Sequence, residues 1–132
     1  MTMNKIITAF ILFSLSTYHG LAEETPVEAW YEALQDVNRE TFKKIISDDA
    51  RIILKEIQVI QSKDEFIESL DNWEDAAKGL NLFFNADRKG ENEIVTQVCY
   101  QFVSNAFTNL ETFTFENGKI VLQVQEKLRD GC

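Results

Sequence analysis

Histidine and methionine are nearly absent from this 132-residue chain, and the few that occur lie at its N-terminus. The single histidine is His19, and the two methionines are Met1 and Met3. From residue 23 onward the chain therefore contains no histidine. This absence excludes histidine-based triads and proton shuttles from that region, together with most transition-metal sites. We assign no metal site and expect no cofactor.

Basic residues are scarce as well. The chain has 13 lysines and arginines against 22 acidic residues, a net charge of −9. The basic residues form no cluster beyond Lys43-Lys44 and Arg88-Lys89. Because phosphate backbones and anionic membrane surfaces require a positively charged partner, we expect neither to bind this protein.

Residues 1–22 have the pattern of a secretory signal peptide. Lys5 is the only charge before Glu23, an apolar run extends over residues 6–15, and small residues stand at Gly20 and Ala22. The run is about half the ~20 residues that span a bilayer, so we expect no stable membrane anchor after cleavage. The alternative is a buried N-terminal helix. We predict a signal peptide over 1–22, a single domain over 23–132, and export to the periplasm or the extracellular medium.

Two cysteines, Cys99 and Cys132, follow the predicted cleavage site. In an exported protein an even pair predicts a disulfide. The alternative is two free thiols. A thiol nucleophile is disfavoured, since no histidine is available to activate it.

Helical periodicity in the first half of the chain gives way to strand alternation in the second. Ser62 and Glu65 form the pattern of a capping box, and Glu116-Asn-Gly118 is typical of a hairpin turn. We predict helices over 26–38, 40–46 and 63–78, and strands over 51–57, 80–86, 94–104, 106–115 and 119–128. Segregated elements of this kind predict an α+β fold, with one curved antiparallel sheet packed on about three N-terminal helices.

Three strings in this order resemble the nuclear transport factor 2-like proteins, which include SnoaL-like polyketide cyclases and ketosteroid isomerases. They are residues 30–36 (WYEALQD), 46–50 (ISDDA) and 113–121 (FTFENGKIV). The resemblance covers nearly all of the chain after residue 22. It implies a cone-shaped half-barrel with a deep pocket between the sheet and the helices. It does not imply one activity, because function depends on the site rather than the fold.

The ketosteroid isomerases in that family place a tyrosine, an aspartate base and an acid at three positions that can be matched here. The tyrosine position falls on Trp30, which cannot act as an acid, and the base position falls on Leu54, which cannot carry a proton. Only the acid position, Glu111, keeps a titratable group. We therefore expect no ketosteroid isomerase activity.

Strand alternation places Asn109, Glu111 and Phe113 on one face, which the family register turns inward. Positions on the first strand and the first helix would complete a pocket formed by Trp30, Leu34, Ile52, Leu54, Asn109, Glu111 and Phe113. Such a lining suits an apolar small molecule with one or two polar groups. Glu111 would be a buried carboxyl with a raised pKa that binds or protonates the ligand. The alternative is a solvent-facing glutamate, or one satisfied by Asn109 or Trp30.

Two functional hypotheses follow, with a third for assembly. The first is an exported binding module that holds a small apolar ligand, or a protein partner, without chemistry. The second is a SnoaL-like enzyme, an isomerase, cyclase or dehydratase that uses Glu111 with Trp30. The third is a homodimer formed through the outer sheet face, with Val103 and Val121 in the contact.

Overall fold

Helices dominate the first part of the chain and strands the second in the computed structural model, which describes residues 25–132. The predicted signal peptide over 1–22 lies outside the described residues. In chain order the elements are α1 (Pro26–Asp36), α2 (Arg39–Ile45), β1 (Ile46–Leu54), β2 (Val59–Ser62), α3 (Lys63–Ala76), β3 (Asn81–Arg88), β4 (Glu93–Gln101), β5 (Ala106–Glu116) and β6 (Lys119–Asp130). Among these helices, none combines the length and the hydrophobicity needed to span a membrane.

Local sequence signals determine where α1 and α3 begin. Pro26 occupies the first turn of α1, and the Thr25 side chain accepts a hydrogen bond from the backbone N–H of Glu28 at 3.3 Å. At α3 the capping box is complete, because Ser62 and Glu65 each bond the other's backbone N–H at 3.2 Å. These caps satisfy amide groups that would otherwise have no partner at the helix starts.

The six strands form one curved, unclosed sheet in the order β2-β1-β6-β5-β4-β3. The three helices pack on it, so the predicted α+β fold is confirmed. Strands β3 to β6 form the predicted antiparallel meander, but β1 pairs with β6 in parallel, which makes the sheet mixed. A parallel pair needs a long connection between its strands, and here α3 and four strands, β2 to β5, supply it.

The start of the sheet differs from the predicted strand over 51–57. β1 already begins at Ile46, and a register irregularity between Ile46 and Arg51 absorbs the polar residues between them. The chain then turns and pairs back on itself as β2, a short strand that the pattern does not reveal. Serine and aspartate have low strand propensity, so the pairing with β6 overrides the local preference here.

The predicted hairpin turn joins β5 to β6 at Asn117 and Gly118. Both residues have positive φ, 52° and 75°, as a two-residue type I′ turn requires. This turn sets the register in which the inward faces of β5 and β6 meet.

Aromatic packing fixes α1 against the sheet. The Trp30 ring stacks on the Phe66 ring with 4.9 Å between centroids. It also forms T-shaped pairs with Phe42 and Phe113, at centroid distances of 5.0 Å and 5.5 Å. Trp30, Phe42 and Phe113 have no exposed surface. Burial of each such ring contributes roughly 1.5–3 kcal/mol, so this cluster determines how α1 sits on the sheet.

The two positions predicted for a homodimer contact occupy different surroundings. Val103 lies in the connection between β4 and β5 and is 84% exposed, rather than standing on the outer sheet face. Its side chain lies over Gly79, where an added Cβ would come within 2.7 Å of Val103 Cγ2. Val121 lies in β6 and is half-buried. Dimerisation itself stays a prediction.

Cys99 and Cys132 form a disulfide that ties the C-terminus to β4, with a Cα–Cα separation of 5.5 Å. That separation is typical of disulfides. The bridge closes a loop with a sequence separation of 33 residues, which contains β5 and β6. It therefore restrains the strands that carry most of the inward polar residues.

Replacing both cysteines, as C99S/C132S, should lower the free energy of unfolding by about 3 kcal/mol, because the loop is no longer closed in the unfolded chain. Urea denaturation with and without reductant measures this change. The wild-type protein should lose the same amount on reduction, while the double variant should not respond to reductant. Equal stability of wild type and double variant would contradict the expectation.

Candidate functional site

A fully buried carboxylate lies at the centre of the inward face of β5. Asn109, Glu111 and Phe113 all point inward, as their alternation predicts, with exposed fractions of 8%, 0% and 0%. Glu111 is paired across the sheet with Thr96 of β4 and Gln125 of β6. It therefore lies mid-sheet, with a strand on either side.

The Glu111 carboxylate accepts four hydrogen bonds, two at each oxygen. Tyr31 Oη donates to Oε1 at 2.8 Å, and Gln123 Nε2 donates to the same oxygen at 3.3 Å. Tyr100 Oη donates to Oε2 at 2.7 Å, and Asn109 Nδ2 donates to it at 3.0 Å. Helix α1 and three strands thus converge on one side chain.

Thr96 extends this network behind Tyr31. The two hydroxyl oxygens are 2.7 Å apart, and Thr96 Oγ1 lies 3.2 Å from the backbone carbonyl of Glu111. With Glu111 ionised, Tyr31 donates to it. With Glu111 protonated at Oε1, the carboxyl can donate to Tyr31, Tyr31 to Thr96, and Thr96 to the backbone carbonyl of Glu111. The network can therefore satisfy either protonation state, since each hydroxyl both donates and accepts.

No lysine or arginine lies among the described partners of Glu111, so neutral groups alone solvate its charge. Burial raises the pKa of Glu111, and the bonds from Asn109, Tyr100, Tyr31 and Gln123 lower it only in part. Burial and the nearby Glu111 charge also raise the pKa of Tyr31 and of Tyr100. Both tyrosines therefore stay protonated donors at neutral pH.

A glutamate with a raised pKa makes stability depend on pH in a defined direction. The folded chain keeps the Glu111 proton above 4.5, the ordinary pKa, while the unfolded chain releases it. The contribution of Glu111 to stability is therefore fully present below that pH and is lost as the pH rises through the folded pKa.

The variant Glu111→Gln removes this titration. The free energy of unfolding of wild type minus that of the variant should therefore fall as the pH rises from about 4 to about 8. Urea denaturation of both proteins across this range measures the difference. The contributions of the other carboxylates are common to both proteins and cancel in it. A difference that is constant, or that grows with pH, would contradict the raised pKa.

An open cavity of about 380 Å³ lies directly over this network, between the inward sheet face and α1 and α3. Its walls are mostly apolar or aromatic, and its polar side chains are amides and hydroxyls. The lining comprises Leu34, Leu54, Gln61, Phe66, Ser69, Leu70, Asn72, Trp73, Ala76, Tyr100, Phe107, Asn109 and Gln125. A second cleft, of about 310 Å³, shares Leu54, Phe107, Asn109 and Gln125 with it and opens beside Lys55, Glu56 and Lys127.

The cavity floor and the carboxylate network share side chains. Tyr100 and Asn109 line the cavity and donate to Glu111 from above. Gln125 also lines it and donates from Nε2 to Gln123 Oε1 at 3.0 Å, and Gln123 in turn donates to Glu111. Glu111 itself is not part of the lining, so it lies one side chain beneath the cavity surface.

The seven predicted pocket residues divide into two groups. Leu34, Leu54 and Asn109 line the cavity. Beneath it, in the core or the network, lie Trp30, Ile52, Glu111 and Phe113. Trp30 Nε1 is buried without a hydrogen-bond partner, whereas the next residue along α1, Tyr31, bonds Glu111.

The partners of Glu111 left only faint signals in the sequence. Thr96 interrupts the otherwise apolar inward row Ile94, Val98 and Tyr100 of β4, which indicates a polar contact inside. Gln123 and Gln125 share one face of β6 by alternation. The choice of Tyr31 over Trp30 depends on how α1 is rotated against the sheet, and periodicity does not determine that rotation.

Within residues 25–132, no three histidine, cysteine, aspartate or glutamate side chains lie close enough together to hold a metal ion.

No family profile and no curated protein sequence matches the chain. Solved structures do. An NTF-2-like protein of unknown function from Burkholderia xenovorans LB400 superimposes with a TM-score of 0.63 at 18% identity, covering 79% of this chain and 80% of that one. The fold is that of the nuclear transport factor 2-like proteins.

Two enzyme-related structures share this nuclear transport factor 2-like fold. An epoxide hydrolase from M. tuberculosis has a TM-score of 0.61 at 16% identity, with 78% of this chain and 80% of that one covered. A proposed polyketide cyclase from Streptomyces antibioticus has a TM-score of 0.59 at 15% identity, with 79% and 92% covered. At these identities the likeness extends to the fold and not to the activity.

Proposed function

We propose that this protein binds a small apolar molecule in the cavity over Glu111 and does not transform it. The observation that supports the proposal is the composition of the lining. It contains no carboxylate, lysine or histidine, and its one titratable side chain is Tyr100, whose raised pKa keeps it protonated. General acid–base catalysis needs a group that exchanges a proton near the working pH, and the lining offers none.

The size and the chemistry of the cavity suit a ligand of this kind. Its volume of about 380 Å³ falls in the range of small-molecule sites, roughly 300–1,000 Å³. Phe66, Trp73 and Phe107 present apolar surface, while Asn109 and Gln125 offer polar groups at the floor. Ligand sites typically combine an apolar wall with a few placed polar groups.

The alternative is a SnoaL-like enzyme that uses Glu111, and one observation favours it. The pKa of Glu111 is raised, as in a carboxyl that protonates a substrate. Its proton could reach the cavity only through Tyr100, the one hydroxyl partner of Glu111 that lines it, since the carboxyl does not reach the lining. Trp30 contributes no bond to Glu111, and its indole lies in the aromatic cluster of the core. Turnover that is lost in Glu111→Gln would favour this alternative over binding alone.

Filling the cavity tests the proposed binding. Ala76 lies on the exposed rim of the lining, so Ala76→Trp should place an indole in the mouth without disturbing the core. Affinity for a neutral fluorescent apolar probe such as N-phenyl-1-naphthylamine should fall about tenfold or more. Fluorescence titration of the purified protein measures it.

The matched control is Glu68→Trp, which adds the same side chain at an exposed position of α3 outside the lining. This control should bind the probe as the wild-type protein does. Equal affinity in Ala76→Trp would refute binding in this cavity, and so would an absence of probe binding to the wild type.

We further propose that the protein works outside the cytoplasm. The support is the charge and hydrophobicity pattern of residues 1–22, together with the Cys99–Cys132 disulfide, a bond that persists in oxidising compartments. The intact mass of protein recovered from the exported fraction should correspond to a chain that begins at Glu23. Recovery of a chain that begins at Met1, only in the cytoplasmic fraction, would contradict this expectation.

A further inference from the structure

The floor of the cavity carries two carbonyl oxygens that accept no hydrogen bond from any described residue. They are Asn109 Oδ1 and Gln125 Oε1, whose amide nitrogens both donate into the network. Within residues 25–132, Trp30 Nε1 is the one side-chain polar atom that is both sealed from solvent and unpaired. The two oxygens are unpaired but not sealed, so they open to accessible space, and their side chains line the cavity.

The buried carboxylate determines which way these amides point. Only the NH₂ end of an amide can face an ionised carboxylate, so Asn109 and Gln123 each turn their nitrogen toward Glu111. Gln123 then presents its oxygen to the next amide, Gln125, which turns its own nitrogen toward it at 3.0 Å. Asn109 and Gln125 therefore leave their oxygens without a protein donor, on the side where a ligand would meet them.

The electrostatics of the site favour a positively charged group over a negative one. None of the four donors to Glu111 carries a charge, so its field is not cancelled beneath the floor. The two lysines that line the adjoining second cleft are engaged by carboxylates, with Lys55 at 3.5 Å from Glu126 and Lys127 at 2.5 Å from Asp130. A low-dielectric site strengthens the attraction between a buried charge and a ligand charge.

We propose that the ligand is a primary amine with an apolar body, whose ammonium group donates to Asn109 Oδ1 and Gln125 Oε1. This inference rests on the proposed function and specifies its ligand class. A primary ammonium has three donors and can bond both oxygens, whereas an alcohol has one. The rings of Phe66, Trp73 and Phe107 line the cavity and would accommodate the apolar body, and aromatic rings attract a nearby cation.

Three probes with the same eight-carbon chain test the ligand class: octylamine, octanol and octanoate. At about pH 8 the amine is protonated, because alkyl ammonium groups titrate near the lysine value of about 10.4. Isothermal titration, or displacement of the fluorescent probe, gives the three dissociation constants. Octylamine should bind at least about tenfold more tightly than octanol, and octanoate should bind most weakly of the three.

A variant at the floor locates the effect. Gln125→Leu removes one free oxygen, and with it the bond to Gln123 Oε1, while the four donors to Glu111 are other side chains. Its affinity for octylamine should fall about tenfold relative to its affinity for octanol, because octanol depends mainly on the apolar walls. The matched control is Gln97→Leu, an exposed glutamine of β4 outside this cavity, which should change neither affinity.

The outcomes separate this inference from the proposed function. Octanol or octanoate binding as tightly as octylamine would overturn the amine assignment and leave the binding function standing. Unchanged octylamine affinity in Gln125→Leu would likewise overturn the assignment to the floor oxygens. If none of the three probes, nor N-phenyl-1-naphthylamine, binds the wild-type protein, the proposed binding function itself is wrong.

Discussion

The structure depends on one buried negative group that neutral donors alone stabilise. A carboxylate removed from water without a cation would cost several kcal/mol if its oxygens had no partners. Glu111 has four, and they come from α1, β4, β5 and β6. Any shift of one element against the others breaks a bond to the charge. The polar centre therefore specifies one arrangement of helix and sheet, in addition to what apolar packing supplies.

The apolar core and this polar centre hold α1 through two neighbouring residues, Trp30 and Tyr31. Trp30 locks the helix into the ring cluster with Phe42, Phe66 and Phe113, and the adjacent Tyr31 is thereby directed at Glu111. The cavity lies over the part of the network that these rings do not cover. Hydrogen bonds restrain its floor, because Tyr100 and Asn109 bond the buried carboxylate directly and Gln125 is linked to it through Gln123.

Much of the fold could be predicted from the sequence because its signals are local. Pro26, the Ser62 capping box and the Asn117–Gly118 turn all act within a few residues, and the structure contains each of them. The parallel pairing of β1 with β6 could not be predicted, since it depends on contacts far apart in the chain. The short β2 pairs locally with β1, but its turn places Gln58 at a positive φ with no glycine or asparagine to signal it. The site was predictable to the extent of placing Glu111 inside. Its donor Tyr31 was not, because a rotation of about 100° separates neighbouring helical residues.

The pKa of Glu111, measured by ¹³C nuclear magnetic resonance of the side-chain carboxyl, tests this account most directly. Comparison with Glu111→Gln identifies the resonance. The account predicts a carboxyl that titrates above 4.5, the ordinary glutamate value, because burial outweighs the four donors. If Glu111 instead titrates at or below this value, as an exposed glutamate does, burial does not outweigh the four donors. That result would contradict the central claim, a buried carboxylate with no paired cation.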